Sequence, residues 1–169
     1  MNGGDEDDLL VGGTGNDNLF GQNGSDTIYG GDGYDSLNGG NQDDLLYGGN
    51  DADSIRAGIG NDVIEAGEGD DWAQGFRGDD IIDLGAGDDR ARGGGTGNDR
   101  VFGDAGSDLL VGGADNDFLS GGSGSDDLIG GTGDDRMAGG TGADTFVFVT
   151  GHGADVITDF DTSEDVLDF

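Results

Sequence analysis

The sequence predicts an all-β fold: a parallel β-helix, or solenoid, with two three-residue strands in each coil of eighteen residues and about eight coils. Three observations lead there. Aspartate recurs every nine residues, sixteen times, at Asp8, Asp17, Asp26, Asp35, Asp44, Asp53, Asp62, Asp71, Asp80, Asp89, Asp99, Asp108, Asp117, Asp126, Asp135 and Asp144. A second series, from Leu10, Leu19 and Ile28 to Met137 and Phe146, places an apolar residue two positions after each aspartate. Glycine dominates the four residues that open each unit, as in GGTGNDNLF at 12–20 and GGSGSDDLI at 121–129. Self-similarity at a fixed short period marks a stack of units, none of which can bury its apolar face alone.

Each slot of the nonapeptide has its own reason. Positions one, two and four are mostly Gly and supply backbone conformations that side chains forbid, so positions one to six form a tight turn with exposed carbonyls. Positions seven to nine are too few for a helical turn and alternate out, in, out, which suits a strand with one inward aliphatic at position eight. Two units close one coil, and the sixteen units of residues 3–147 give eight coils. One step of the aspartate series is ten residues, where Gly93 adds a residue, and a bulge is expected across Gly93 to Gly95. The stretch 57–92 is expected to be the least regular, because Ala57, Ala66 and Leu84 stand at position one and the inward residue shrinks to Ala73 and Ala91. Residues 148–169 are read as a C-terminal capping segment.

Charge decides what must hold such a stack together. The 169 residues carry 38 acidic groups against six arginines, a net charge of −32, with 41 glycines and no Pro or Cys. One inward side chain per strand is little apolar burial against the entropy of ordering a Gly-rich chain. Stacking adds repulsion between equivalent aspartates. The metal-free chain is therefore expected to be disordered. A hard divalent cation between successive carboxylates, bound also by turn carbonyls, reverses that balance. All-oxygen donors in a flexible loop favour Ca²⁺ over the smaller, geometry-strict Mg²⁺.

Several function classes are excluded. The acidic balance argues against direct binding of nucleic acid or anionic membranes. No stretch approaches the ~20 apolar residues of a membrane-spanning helix. The start, Met1 to Asp8, is too acidic for a secretory signal peptide. Without cysteine there are no disulfides and no thiolate metal sites. The single histidine, His152, has no partner for catalysis, no carboxylate pair lies outside the repeat, and the GGxG runs recur too often to be nucleotide fingerprints. The chain is not read as an enzyme.

The unit GGxGxDxUx, with U a large apolar residue, resembles the nonapeptide of the repeats-in-toxin (RTX) calcium-binding proteins, here in sixteen consecutive copies over residues 3–147. Residues 139–169 are similar to the closing segments of secreted serralysin-type proteases and alginate epimerase modules. The resemblance implies a parallel β-roll with Ca²⁺ between successive coils. It implies that each ion takes the carbonyls of positions two and four and the Asp of one unit, with the carbonyls of positions one and three and the Asp of the unit eighteen residues on. One ion would then use Gly13, Gly15 and Asp17 with Gly30, Asp32 and Asp35. Another would use Gly122, Gly124 and Asp126 with Gly139, Thr141 and Asp144. The same positions imply carbonyl ligands at Gly31, Gly33, Gly112, Gly121, Gly130, Gly131 and Gly133. Up to about fourteen ions would bring about +28 against the −32 of the chain. Asp155 resembles a further ligand in the cap.

The resemblance also implies type I secretion and an extracellular location, with the chain unfolded in a low-calcium cytoplasm and folded outside. A binding or adhesion module for a glycan or surface, or an accessory domain of an exported enzyme such as a protease or alginate epimerase, are the alternatives. The start inside a repeat and the end at Leu167-Asp168-Phe169 are expected of a piece of a longer chain. Departures from the motif are expected to weaken single sites. Position four holds Glu6, Gln42, Asp51 and Asp115, and position two holds Gln22, Phe76 and Asp104. Six further aspartates at position five (Asp7, Asp43, Asp70, Asp79, Asp88 and Asp134) are read as solvated surface charge.

Positions seven and nine point outward. Odd-numbered units offer Leu9/Val11, Thr27/Tyr29, Leu45/Tyr47, Val63/Glu65 and Ile81/Asp83, a more apolar series than Asn18/Phe20, Ser36/Asn38, Ser54/Arg56, Trp72/Gln74 and Arg90/Arg92 of the even-numbered ones. Ordinary strand propensity and a docking face for a protein, a second copy or a missing domain both account for this. The Trp72, Phe76, Arg77, Arg90 and Arg92 group is read as local packing and charge compensation, with a carbohydrate platform as the alternative.

Overall fold

The computed structural model describes residues 1–169 and contains two parallel sheets and no helix. One sheet has ten strands, β1 (Asn2–Gly4), β3 (Asn18–Asn23), β5 (Ser36–Asn41), β7 (Ser54–Ile59), β9 (Trp72–Arg77), β11 (Arg90–Thr96), β13 (Leu109–Ala114), β15 (Asp127–Thr132), β17 (Thr145–Val147) and β19 (Val166–Asp168). The other has nine, β2 (Leu9–Thr14), β4 (Thr27–Asp32), β6 (Leu45–Asn50), β8 (Val63–Glu68), β10 (Ile81–Ala86), β12 (Arg100–Ala105), β14 (Phe118–Ser123), β16 (Arg136–Thr141) and β18 (Val156–Ile157). Successive strands alternate between the sheets, so each coil carries two, and the stack is a parallel β-roll of about nine turns rather than eight. Residues 148–169 add β18 and β19 to the two sheets.

The strands are six residues long, not three. Position one turns its α-carbon inward beside position eight, and positions two and three stay in the ladder, as Gly13↔Gly31 and Thr14↔Asp32 show. Glycine is favoured at position two because the backbone there has positive φ. A methyl group on Gly31 (φ +117°) would strike the Gly13 carbonyl oxygen of the coil before it. Six other residues take positive φ, among them Gln22 (85°), Phe76 (84°) and Asp104 (68°) at position two.

The core is two columns of side chains between the sheets. One runs Leu10, Ile28, Leu46, Ile64, Ile82, Val101, Leu119, Met137, each in register with the next. The other runs Leu19, Leu37, Ile55, Ala73, Ala91, Leu110, Leu128, Phe146. All sixteen position-eight residues are buried, joined by Ala57, Ala66 and Leu84 from position one. That corrects the expectation of an irregular middle. Where Ala73 and Ala91 shrink one column, Leu84 adds volume from the opposite sheet, and pairing from β7 to β10 keeps its register. The irregularity is confined to one bulge. Gly94 pairs with Phe76 and Thr96 with Arg77, so Gly95 is the extra residue and Gly93 keeps position one. Phe160 covers the far end of the core, its ring centroid 6.0 Å from that of Phe146.

Candidate metal centre

The sixteen aspartates stand in two columns, one at each turn. Each carboxylate is placed by the turn that glycine permits and by the chain of the coil before it. Oδ1 of Asp26 accepts the backbone N–H of Asp8, Oδ1 of Asp35 that of Asp17, and the pattern repeats at 2.7–3.0 Å through Asp144. From Asp26 to Asp144 these residues are 1–4% exposed. In each of those fourteen the second oxygen, Oδ2, is buried and has no hydrogen-bond partner. An unpaired buried carboxylate oxygen is costly unless a positive charge meets it.

The geometry beside Oδ2 fits a cation. A β-carbon built on Gly12 would lie 2.6 Å from the Gly30 carbonyl oxygen and 2.8 Å from Asp17 Oδ2. The equivalent point on Gly30 lies 2.5 Å from both Asp35 Oδ2 and the Gly48 carbonyl. Carboxylate and carbonyl oxygens of adjacent coils thus converge, and position-one glycine keeps the space between them open. The exceptions are beside Asp62, Asp71 and Asp89, where the β-carbons of Ala57, Ala66 and Leu84 occupy it. Of the oxygens expected to act together, Asp17 with Gly30 and Asp126 with Gly139 are brought into one such pocket. The Gly13 and Gly122 carbonyls point along the roll axis toward Gly31 and Gly140. The Asp32 and Thr141 carbonyls already accept the N–H of Gly15 and Gly124, at 2.7 and 2.8 Å, and retain one lone pair each. No three His, Cys, Asp or Glu side chains converge anywhere. An ion held here needs main-chain carbonyls, which is how hard cations with several oxygen ligands are bound.

Burial pushes these carboxyl groups up from their ordinary range, and neighbouring aspartates push further, against the lowering effect of the backbone N–H. Asp80 and Asp117 are raised to about 8, Asp44, Asp71 and Asp108 to about 7, and Asp53, Asp62, Asp89 and Asp99 to about 6. Burial in the columns thus favours a proton or a cation on these carboxyl groups over the bare charge.

Both columns run further than the nine-residue count. Asp155 Oδ1 accepts the N–H of Asp135 at 3.0 Å, and Asp165 Oδ1 that of Asp144 at 3.1 Å. Asp165 escapes the periodicity because its spacing is twenty-one residues, though Asp-Val-Leu at 165–167 repeats the Asp-apolar-apolar ending of other units. His152 lies beside Asp155, Nδ1 3.0 Å from Oδ2.

Position five carries exposed charge, as its six aspartates were expected to, and it also ties coils together. Its side chains form a second ladder of opposite sense, in which the N–H of the later coil donates back. Asn61 donates to Asp43, Asp79 to Asn61, Asn98 to Asp79, Asn116 to Asn98 and Asp134 to Asn116, at 2.7–3.2 Å. On the other turn Asp88 donates to Asp70 and Ser107 to Asp88. The exposed tips reach water, but one oxygen of each ties two coils.

The family comparison agrees with this arrangement. The family model of the RTX calcium-binding nonapeptide repeat matches residues 2–37, 20–55, 35–64, 56–91, 93–128, 111–146 and 120–153. A comparison with curated proteins finds no match. Because the repeat matches run over nearly the whole length, the chain belongs to the RTX calcium-binding repeat family, and its β-roll is a calcium-binding domain.

Proposed function

We propose that this β-roll is a calcium-dependent folding switch, disordered when Ca²⁺ is scarce and folded when it is plentiful, in a protein exported by a type I route to the extracellular space. The observation that carries this reading is the set of fourteen buried Oδ2 atoms with no partner, in columns that run the length of the roll. Ca²⁺ would supply positive charge and a shell of oxygen ligands at those points. The aspartates hold the register of the coils through Oδ1 and leave Oδ2 for the ion. Position-one glycine keeps the pocket open, and the turn carbonyls complete the donor set. One ion lies between each unit and the unit eighteen residues on, up to about fourteen in all, with the ligand sets set out above for Asp17/Asp35 and Asp126/Asp144. Each internal aspartate serves the ions on both sides of it. Binding free energy is then folding free energy, and it becomes available at the ~10⁻⁴–10⁻³ M Ca²⁺ typical of extracellular modules.

Circular dichroism in excess chelator and in millimolar Ca²⁺ tests the switch. The β signal is expected only with the ion, together with a bound stoichiometry near fourteen. The same β signal in both conditions sinks the reading.

A further inference from the structure

The outward face of the nine-stranded sheet joins apolar side chains to charges that have no counterpart in their own chain. In register from β2 to β10, position seven is Leu9, Thr27, Leu45, Val63 and Ile81. Position nine adds Val11 and the stacked Tyr29 and Tyr47, whose ring planes differ by 7°. Glycine at position two of β4, β6, β8 and β10 raises no side chain beside them, so the face is low and flat. Leu9, Val11, Tyr29, Leu45 and Ile81 are exposed, and a contiguous apolar patch of this kind marks an interaction site. On the ten-stranded sheet Asn18, Ser36, Asn38, Ser54 and Gln74 stand at positions seven and nine and leave less apolar surface to bury.

The charges on the face are few and lopsided. At positions seven and nine its only acids are Glu65 on β8 and Asp83 on β10, and its only bases are Arg100 on β12 and Arg136 on β16. Neither arginine is within ion-pair distance of a carboxylate, for the only ion pair in the structure is His152 with Asp155. The Arg100 guanidinium lies instead 5.5 and 5.2 Å from the ring centroids of Phe102 and Phe118, although its strand adjoins β10. Burial, with Asp104 and Glu65 nearby, pushes the Asp83 carboxyl up from its ordinary range. The acids lack a cation and the arginines lack an anion.

We propose that this face packs on the same face of a second copy of the chain, with the roll axes antiparallel and β10 of one copy against β12 of the other. Arg100 of each copy then reaches Asp83 of the other, Arg136 lies over Tyr47, and Phe118 meets Val63. A parallel arrangement sets each strand on its own counterpart, places Glu65 and Asp83 against apolar side chains and joins no opposite charges. The eight strands that overlap, ~4.8 Å apart and about six residues long at ~3.3 Å each, cover roughly 750 Å². Each side of a standard interface buries about 800 Å². One face carries both halves of the charge pattern, so a second copy fits it better than a protein of other sequence. The −32 of the bare chain opposes association, and bound Ca²⁺ offsets most of it, so the inference rests on the calcium reading above.

The test is sedimentation equilibrium of the whole chain in millimolar Ca²⁺, with the β signal of each variant verified. The wild type is expected to be a dimer. Arg100→Glu and Asp83→Arg should each weaken it about tenfold or more. The two substitutions together should restore it, because the charge pair is then only reversed. Arg56→Gln, on the other sheet, should leave the dimer unchanged. A folded wild type that stays monomeric at every concentration overturns this inference alone, and is the result expected if the face belongs to a different protein. A dimer that survives both single reversals, or a double variant as weak as the singles, overturns it as well. So does a mass that keeps growing with concentration, which marks head-to-tail contacts instead of a closed pair. A chain that gains no β structure in Ca²⁺ overturns both readings.

Discussion

Asp35 shows how much one residue of the repeat carries. Its Oδ1 accepts the Asp17 N–H, its own N–H donates to Asp53 Oδ1, both at 2.8 Å, and its Oδ2 is left unpaired. The strut role and the proposed ligand role therefore fall on different oxygens and can be separated. Asp35→Asn keeps an acceptor for the Asp17 N–H but loses the charge. It is expected to lower Ca²⁺ stoichiometry and cooperativity nearly as much as Asp35→Ala. Titration with counting of bound ions checks this, and an Asn variant with wild-type stoichiometry would show that the carboxylate is only a strut. The position-five ladder is weaker because it is solvated. Asn61→Ala removes the acceptor for the Asp79 N–H and should cost about 1 kcal/mol. Thermal unfolding in saturating Ca²⁺ reads that loss, and stoichiometry should not change.

A strand and its turn form the smallest unit that can be altered without moving a neighbour. The run Gly93 to Gly95 carries one residue more than the nonapeptide, and the extra one, Gly95, is exposed, with only the Phe76 carbonyl nearby, at 3.9 Å from a β-carbon built on it. Deleting one of the three glycines restores the nine-residue step. The shortened chain is expected to keep the wild-type β signal and calcium stoichiometry. Deleting a residue from a unit already nine long, such as Asn116, shifts every later aspartate against its partner and should lose ions from the C-terminal half. Circular dichroism and ion counting on the two deletions distinguish these outcomes. On the other sheet Leu9, Val11, Tyr29, Leu45 and Ile81 are 39–68% exposed, and Tyr29 stacks on Tyr47 at 4.7 Å. Cross-strand packing on the exposed face accounts for the tyrosines.

For the molecule as a whole, the buried carboxylates set a dependence on pH. A group whose folded value lies above its unfolded one binds more protons folded than unfolded. Its penalty to the metal-free roll is absent below about pH 4 and grows as pH rises toward the folded value. With folded values of about 6 to 8 for Asp53, Asp80 and their neighbours, the metal-free roll should lose stability from about pH 4 to about pH 8. Protons and Ca²⁺ compete for the same oxygens. In this range the unfolded chain is already deprotonated and only the folded roll takes up protons in place of the ion. The Ca²⁺ midpoint for folding should therefore move to lower concentration as pH falls from 8 to 5, which titrations at fixed pH values measure. A midpoint that rises as pH falls through this range would contradict the raised folded values of these aspartates.

Period alone determined the architecture. Sixteen aspartates at one spacing, each followed by an inward apolar residue, admit only a stacked coil, and the surplus of negative charge called for a cation. What the sequence could not reveal depends on which atoms of different coils meet. The six-residue strands, the inward turn of Ala57, Ala66 and Leu84, the location of the extra residue at Gly95 and the opposed ladders of positions five and six all arise from coil-to-coil register, which a linear pattern does not contain. Asp165 was illegible for the same reason, because a longer loop hides its place in the column until β19 is laid beside β17. The apolar residues and unpaired charges of the nine-stranded sheet become a surface only when strands eighteen or nineteen residues apart are set side by side.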